Sequence, residues 1–306
     1  MDVLTEVIAT MRIGRTKFAR TRRTGPWGGR FDHYPGAGFH VLLHGSCWLI
    51  PPESEPVPLH AGDVVFLPHG SAHGMSDRPD HRIDALPLDQ PSGSDEAPDD
   101  PTAVSAHLLC GAYRLDRGQA HPFLRTLPDV LHLPAASGHH DLRTAVDLLS
   151  ADLANPRPGA DAALPALMDL LLVYLLRAWL TEEVASHPDR GWPAALTDPL
   201  IAATLNNIHS DPARRWTVQD LGAAVGMSKT ALARRFTTMV GQPPLAYLTW
   251  WRLSTGARLL RDTNAPLAAV ARQVGYTEFA FANAFRREFG VAPGRFRRSS
   301  AETREV

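Results

Sequence analysis

Arg234 and Asn283 stand 49 residues apart, and each has a planar side chain able to make two hydrogen bonds to one base edge. Arg fits guanine in this way and Asn fits adenine. The surroundings of the two residues match. Shifting the chain by 49 positions lays Leu221 on Val270, Val225 on Val274, Gly226 on Gly275, Met227 on Tyr276 and Ser228 on Thr277. It also lays Leu232 on Phe281, Phe236 on Phe285, Gly241 on Gly290 and Pro244 on Pro293. Each copy reads as a helix, a Gly turn and a capped second helix. Two such helix-turn-helix units side by side suit two successive major-groove segments of DNA.

The elements that must position these side chains can be read locally. Thr217 is placed to cap a helix over residues 218–224, with Asp220 as the acidic partner of a capping box. Gly226 tolerates the left-handed conformation that ends that helix, and Ser228 caps the next. Leu232 and Phe236 are four apart and must face inward together, which leaves Thr230, Arg234 and Thr237 outward, with Lys229 at the helix start. The second copy sets Phe279, Asn283 and Arg286 on the corresponding face. Phe279 has two readings, contact with a thymine methyl or packing against its own domain. Arg286 and Arg287 suit phosphates, which position a protein without reading sequence. For Arg234 the plain alternative is a solvated surface Arg, and the matched second copy weighs against it. Residues 245–263, with the stripe Trp250, Trp251, Leu253, Ala257, Leu259 and Leu260, predict one long helix between the units, and Pro266 opens the second unit.

Charge divides the chain in the same place. Residues 199–306 hold 15 Arg and Lys against 7 Asp and Glu, a net of +8, and residues 1–198 hold 16 against 25, a net of −9. The overall −1 therefore hides a basic C-terminal half, as counterion release from DNA favours, and an acidic N-terminal half.

From residue 198 to 298 the motifs resemble the AraC/XylS transcriptional regulators. They are Trp216-Thr-Val-Gln-Asp-Leu, Met227-Ser-Lys, Arg234-Arg-Phe, Gly241-Gln-Pro-Pro-Leu-Ala-Tyr, Trp251-Arg-Leu, Val274-Gly-Tyr and Phe289-Gly-Val-Ala-Pro. The resemblance implies two helix-turn-helix units on a linking helix, base contacts at Thr230, Ala231, Arg234, Glu278, Phe279 and Asn283, and activation or repression of promoters, with activation the favoured sign and RNA polymerase as a partner. The stretch Gly275-Tyr-Thr-Glu-Phe-Ala-Phe281 is one residue shorter than the family usually has, which leaves the entry angle of the second recognition helix open.

The N-terminal half reads as mostly β over residues 5–133, with strands near 38–50, 63–67 and 106–115 between Gly and Pro turns. Gly62-Asp-Val-Val-Phe-Leu-Pro68-His-Gly70-Ser-Ala-His73 resembles the second half of the cupin motif, and Cys110-Gly-Ala-Tyr113 resembles a string that follows such barrels in some AraC-type regulators. A jelly-roll-like β-barrel is expected, followed by two helices, 142–154 capped by Asp141 and 164–186, that form a homodimer seam. Residues 89–100, rich in Pro, Ser and acid, predict a mobile loop.

The expected fold is thus two-domain: a cupin-like sensor and dimerisation domain over 1–186, a linker over 187–198, an all-α double helix-turn-helix domain over 199–298 and a tail over 299–306. No signal peptide or membrane span is expected, because Asp169 and Arg177 interrupt the longest apolar run, and the cytoplasm follows. Two functional alternatives attach to the barrel. His40, His44, His69 and His73 could gather at its mouth as metal ligands for a cupin binder or enzyme, although the acidic ligand of that motif is missing. Cys110, with Cys47 on another strand, could sense an oxidant as a thiolate, and a small organic effector is an equal alternative. No cofactor is required and catalysis is not expected.

Arg234→Ala should abolish site preference, losing about 1–3 kcal/mol of discrimination, while keeping salt-sensitive background binding. Titration of a selected and a scrambled duplex checks this, and retained specific affinity would sink the assignment.

Overall fold

The computed structural model describes residues 3–5, 8, 17–89, 104–114, 121–155, 157–187 and 189–302. Most of the expected mobile loop, 90–100, lies outside the described residues. The chain forms two compact units. One comprises Thr10–Arg117 and Leu127–Glu182, the other Met1–Ala9, Gly118–Thr126 and Glu183–Val306.

The first unit is built on eight antiparallel strands: β1 (Lys17–Thr24), β2 (Gly28–Phe31), β3 (Gly36–Ile50), β4 (Val57–His60), β5 (Val64–Leu67), β6 (His73–Ser76), β7 (Val104–Arg114) and β8 (Leu131–Leu133). Strand β3 is long enough, at 15 residues, to serve two ladders. Its first part pairs with β5 and β7, giving the order β1-β7-β3-β5-β8, and its second part pairs with β4 and β6. The change of partner is made at Gly45, where φ is +80° and a Cβ would stand 1.9 Å from the Ser105 carbonyl oxygen, so only Gly fits. Among the described residues no pairing joins β8 back to β1, so the expected barrel is seen as a cupin sheet whose closure is not shown.

Leu42, Cys47, Leu49, Leu59, Val65, Leu67, Met75, Ala106 and Leu108 form the core between the ladders. Asp63, buried, anchors the β4–β5 turn by accepting bonds from the His60 and Ala135 amides at 3.0 and 2.8 Å and from His132 Nε2 at 3.1 Å. Two helices follow, α1 (His140–Ala154) and α2 (Ala160–Ser186). The α1 N-cap is His139, without a side-chain cap bond, so Asp141 lies inside the first turn and is not the cap expected from sequence. Helix α2 is long and apolar enough to cross a membrane, but Met168, Leu171, Leu172, Leu175 and Leu176 are buried within the described protein.

The second unit is helical: α3 (Gly191–Thr197), α4 (Pro199–Ser210), α5 (Val218–Ala224), α6 (Lys229–Val240), α7 (Pro244–Asp262), α8 (Leu267–Gln273), α9 (Glu278–Phe289) and α10 (Pro293–Glu302). The stretch 187–198, expected as a linker, contains helix α3 with Trp192, Ala194 and Ala195 buried. The bounds of α5 and α6 recur in α8 and α9 at the 49-residue shift without a slip. The turns keep the same geometry, with Gly226 at φ +73° and Gly275 at φ +80°. Helix α7, about 28 Å long for its 19 residues, carries Tyr247, Leu248 and Trp250 into the first half of the core. Further along, Leu253, Ala257 and Leu260 enter the second, with Val270, Val274, Phe281, Phe285 and Phe296.

Gly256 faces Phe281 so closely that a Cβ would lie 2.6 Å from the ring. Helix propensity alone would make Gly256→Ala stabilising by about 1 kcal/mol. The packing reverses the sign, and an overpacking loss of about 1–3 kcal/mol is expected in urea unfolding of the full chain. A gain in midpoint would show that the ring is free to move.

Candidate nucleic-acid interface

Helix α6 is fixed at both ends and along one side. Thr217 and Asp220 form a complete capping box on α5: the Asp220 amide donates to Thr217 Oγ1 at 3.1 Å and the Thr217 amide to Asp220 Oδ2 at 3.0 Å. Ser228 Oγ then accepts from the Ala231 amide at 3.2 Å to start α6. Leu232 and Phe236 are fully buried. The opposite side exposes Lys229, Thr230, Arg234 and Thr237, with Ala231 half-buried. The Arg234 guanidinium bonds to no described residue, whereas its neighbour Arg235 is committed inward to Asp198. Asp198 also caps α4, accepting from the Leu200 and Ile201 amides at 3.0 and 2.9 Å. These amides and Arg235 outweigh its desolvation and hold its carboxyl below the usual range. Asp198 thus locks the recognition helix to its support. From sequence this residue reads only as the end of the expected linker.

The second unit repeats the arrangement. Thr277 Oγ1 accepts from the Ala280 amide at 3.3 Å, Phe281 and Phe285 are fully buried, and Glu278, Phe279, Asn283, Arg286 and Arg287 are exposed. Phe279 is 79% exposed, which removes the reading that it packs against its own domain. The shortened stretch before Phe281 leaves α9 with the same length and cap position as α6.

The scaffold behind α6 is a polar chain set in aromatic rings. Tyr247 Oη lies 2.7 Å from His209 Nε2 and 3.1 Å from His121 Nε2. The His121 ring accepts at Nδ1 from the Phe123 amide at 3.1 Å, so its Nε2 carries the proton and donates to Tyr247. Trp192 and Trp250 edge onto the same ring at 5.0 and 4.9 Å. Burial, with His209 and Arg125 nearby, keeps His121 well below its ordinary pKa and hence neutral. His121 lies in sequence between strands β7 and β8, and no sequence signal ties it to the helical unit. Arg252 of α7 adds a brace, donating to the Pro212 and Arg214 carbonyls at 2.6 and 2.8 Å.

In the sheet unit the candidate ligands do not converge. One extra residue in β3, between the pairs Leu42–Leu108 and His44–His107, turns His44 to the surface. His69 Nε2 instead donates to the Leu127 carbonyl at 3.0 Å. His40, His73 and Cys110 do meet, as a directed chain. The Ser71 carbonyl only accepts, so His73 donates from Nδ1 at 2.8 Å and its Nε2 is the acceptor. His40 therefore donates from Nε2 at 2.7 Å and accepts the Cys110 thiol proton at Nδ1, with sulfur and nitrogen 3.0 Å apart. Phe31 stacks on His73 at 4.9 Å and edges onto His40 at 5.0 Å. All four groups are satisfied while neutral, and no ring nitrogen is left to a cation. Among the described residues no group of three or more His, Cys, Asp or Glu is arranged to hold a metal.

Burial, with His73 nearby, drives His40 well below its ordinary pKa, and burial lowers His73 to about 4. Burial first, then Asp89, pushes Cys110 up to about 12, and burial, then Asp63, does the same to Cys47. A raised pKa favours the thiol over the thiolate that the redox alternative for Cys110 requires, and Cys47 and Cys110 are both free. Phe39, Phe66, Tyr113, Leu171, Leu172 and Leu175 line a cavity of about 10 Å³, room for about one water, while His139, His140, Asp141, Tyr174, Arg177 and Thr181 border a wider cleft of about 280 Å³.

A duplicated helix-turn-helix with an unpartnered outer face defines the class, a DNA-binding regulator. A family profile described as a helix-turn-helix domain matches residues 221–299, and one described as cupin matches residues 2–181. A putative AraC-like transcription regulator of Streptomyces lividans is 33% identical over 306 residues, 97% of this chain and 98% of that protein. The regulator AlkR of Acinetobacter baylyi is 27% identical over 98% of this chain and 100% of its own. The RCS-specific HTH-type transcriptional activator RclR of Escherichia coli is 29% identical over 85% of this chain and 83% of its own. The DNA-binding domain of AdpA, solved with a target DNA, is 28% identical, covering 36% of this chain and 98% of that one at a TM-score of 0.34. The chain belongs to the AraC family of helix-turn-helix transcriptional regulators, with a cupin as its first domain. These relatives support the regulator reading, not a metal-dependent cupin enzyme.

Neutral His40 and His73 carry a linked pH dependence. Unfolding restores their ordinary pKa near 6.5, so below that pH the unfolded chain binds protons that the folded chain refuses. Their stabilisation is full above about pH 6.5 and is lost as pH falls toward about 4. Urea midpoints across this window should fall, and His40→Leu with His73→Phe should flatten the slope. An unchanged slope in that variant would contradict the assignment.

Proposed function

We propose that this protein is a homodimeric, cytoplasmic transcriptional activator that reads promoter DNA with both helix-turn-helix units, recruits RNA polymerase and answers a signal received in its sheet domain. The observation that carries the reading is the pair of matched helices α6 and α9, each with its apolar pair buried and its polar face exposed. Lys229, Thr230, Ala231, Arg234 and Thr237 meet DNA from α6, and Glu278, Phe279, Asn283, Arg286 and Arg287 from α9. That the E. coli relative is an activator supports the sign of regulation. Apolar surface remaining on α1 and α2, with Leu148 51% and Leu170 36% exposed, supports a seam with a second copy. The sheet unit is the sensing domain, and the buried thiol–imidazole chain and the nearly filled sheet–helix contact are the parts a signal would have to disturb. The proposed DNA-binding domain spans residues 199–298, and helix α3 falls in the same compact unit.

Selection of genomic fragments by the full-length protein at near-physiological salt, followed by footprinting, tests this. The expected outcome is a shared sequence with two protected major-groove faces about one helical turn apart, bound by a particle of two chains. Salt-sensitive binding without sequence preference would overturn the reading. One protected face would remove α9 from it.

A further inference from the structure

Phe279 has no work inside its own domain. It is 79% exposed, the most exposed large apolar side chain among the described residues. The core of its unit is complete without it, since Phe281 and Phe285 are fully buried against α7, α8 and α10. An exposed aromatic ring gains when a partner covers it. Its place says what does. It is the second residue of α9, and the N-terminal residues of a recognition helix are those that reach base edges. Its surroundings on that helix are Glu278 beside it, Asn283 one turn on and Arg286 and Arg287 beyond, a polar face with two cations at its far end that suits a nucleic acid rather than an apolar protein groove.

The first unit has different chemistry at the same two positions. Thr230 takes the place of Phe279, and Arg234 takes the place of Asn283. Arg matches the two acceptors of guanine. Asn matches the acceptor and donor of adenine, and an aromatic ring matches the one apolar group in the major groove, the C5-methyl of thymine. Resting on the DNA-reading function proposed above, we infer that the two units read opposite base classes. The α6 unit takes a guanine, and the α9 unit takes an A·T-rich step in which Phe279 covers a thymine methyl and Asn283 holds a neighbouring adenine. Residues four apart on a helix are separated by about 6 Å, or about two base-pair rises, so the thymine and the adenine lie within about two base pairs of each other.

The test uses the full-length chain and duplexes it selects from a random library. In the selected duplex, each thymine of the half-site under the second unit is exchanged in turn for deoxyuridine, which removes only the methyl. One such exchange should weaken binding by about four-fold, the effect of burying one methyl-sized group, and 5-bromodeoxyuridine, with bromine in the methyl's place, should restore it. For Phe279→Ala the same exchange should cost nothing. Because the ring is exposed, that variant keeps its fold and its guanine preference in the first half-site, which serves as the internal control. Asn283→Ala should lose preference for the adenine alone. An equal penalty for deoxyuridine in the wild type and in Phe279→Ala overturns the inference. So does the absence of any penalty at every thymine in that half-site. Failure to select any sequence would instead overturn the DNA-reading function and this inference with it.

Discussion

The helical unit depends on one constraint: each recognition helix has to bury a pair of large apolar side chains four residues apart, joined in α6 by Val240 one turn further on. Leu232 with Phe236, and Phe281 with Phe285, are all fully buried. A helix held by such a buried stripe can rotate little about its axis, because any turn exposes one of its members. The outer face is therefore aimed as a consequence of the inner one. Arg234 and Asn283 are directed at a partner by residues that never touch it. Helix α7 serves both pairs, with Tyr247 toward the first and Gly256 against Phe281, so the two outer faces are referred to one rigid axis.

In the sheet unit the equivalent constraint is the length of β3. A strand that belongs to two ladders has to bend, and it does so where Gly45 permits and where one extra residue breaks the pairing with β7. Upstream of that irregularity His40 pairs directly with Cys110 across the ladder, which places the imidazole against the thiol. Downstream, His44 emerges on the surface. A single inserted residue separates two histidines that strict alternation would keep together. His40, on the inner side of the irregularity, stays in the hydrogen-bonded chain with Cys110 and His73.

The helical unit is also not a continuous stretch of sequence. Residues 121–126 lie in sequence between two strands of the sheet yet belong to it, and His121 sits at the centre of its aromatic cluster. The chain therefore passes between the units more often than a simple linker would require. Both Phe123 and Leu124 are buried in this excursion.

The sequence alone was enough for the duplicated motif, its caps, its turns and its outward residues, because these rest on interactions within four residues along a helix. The 49-residue repeat, the Thr217–Asp220 box and the Gly turns are all of this local kind. Strands at β3, β5 and β7 were legible for the same reason, from Gly and Pro punctuation. What required the tertiary structure were contacts between residues distant in sequence. Asp198 with Arg235, His121 with Tyr247, and the order Cys110, His40, His73 and Ser71 each join segments that no spacing rule connects. The protonation of the buried histidines and thiols belongs to this second group, because desolvation depends on what the fold places around a group and not on its neighbours in the chain.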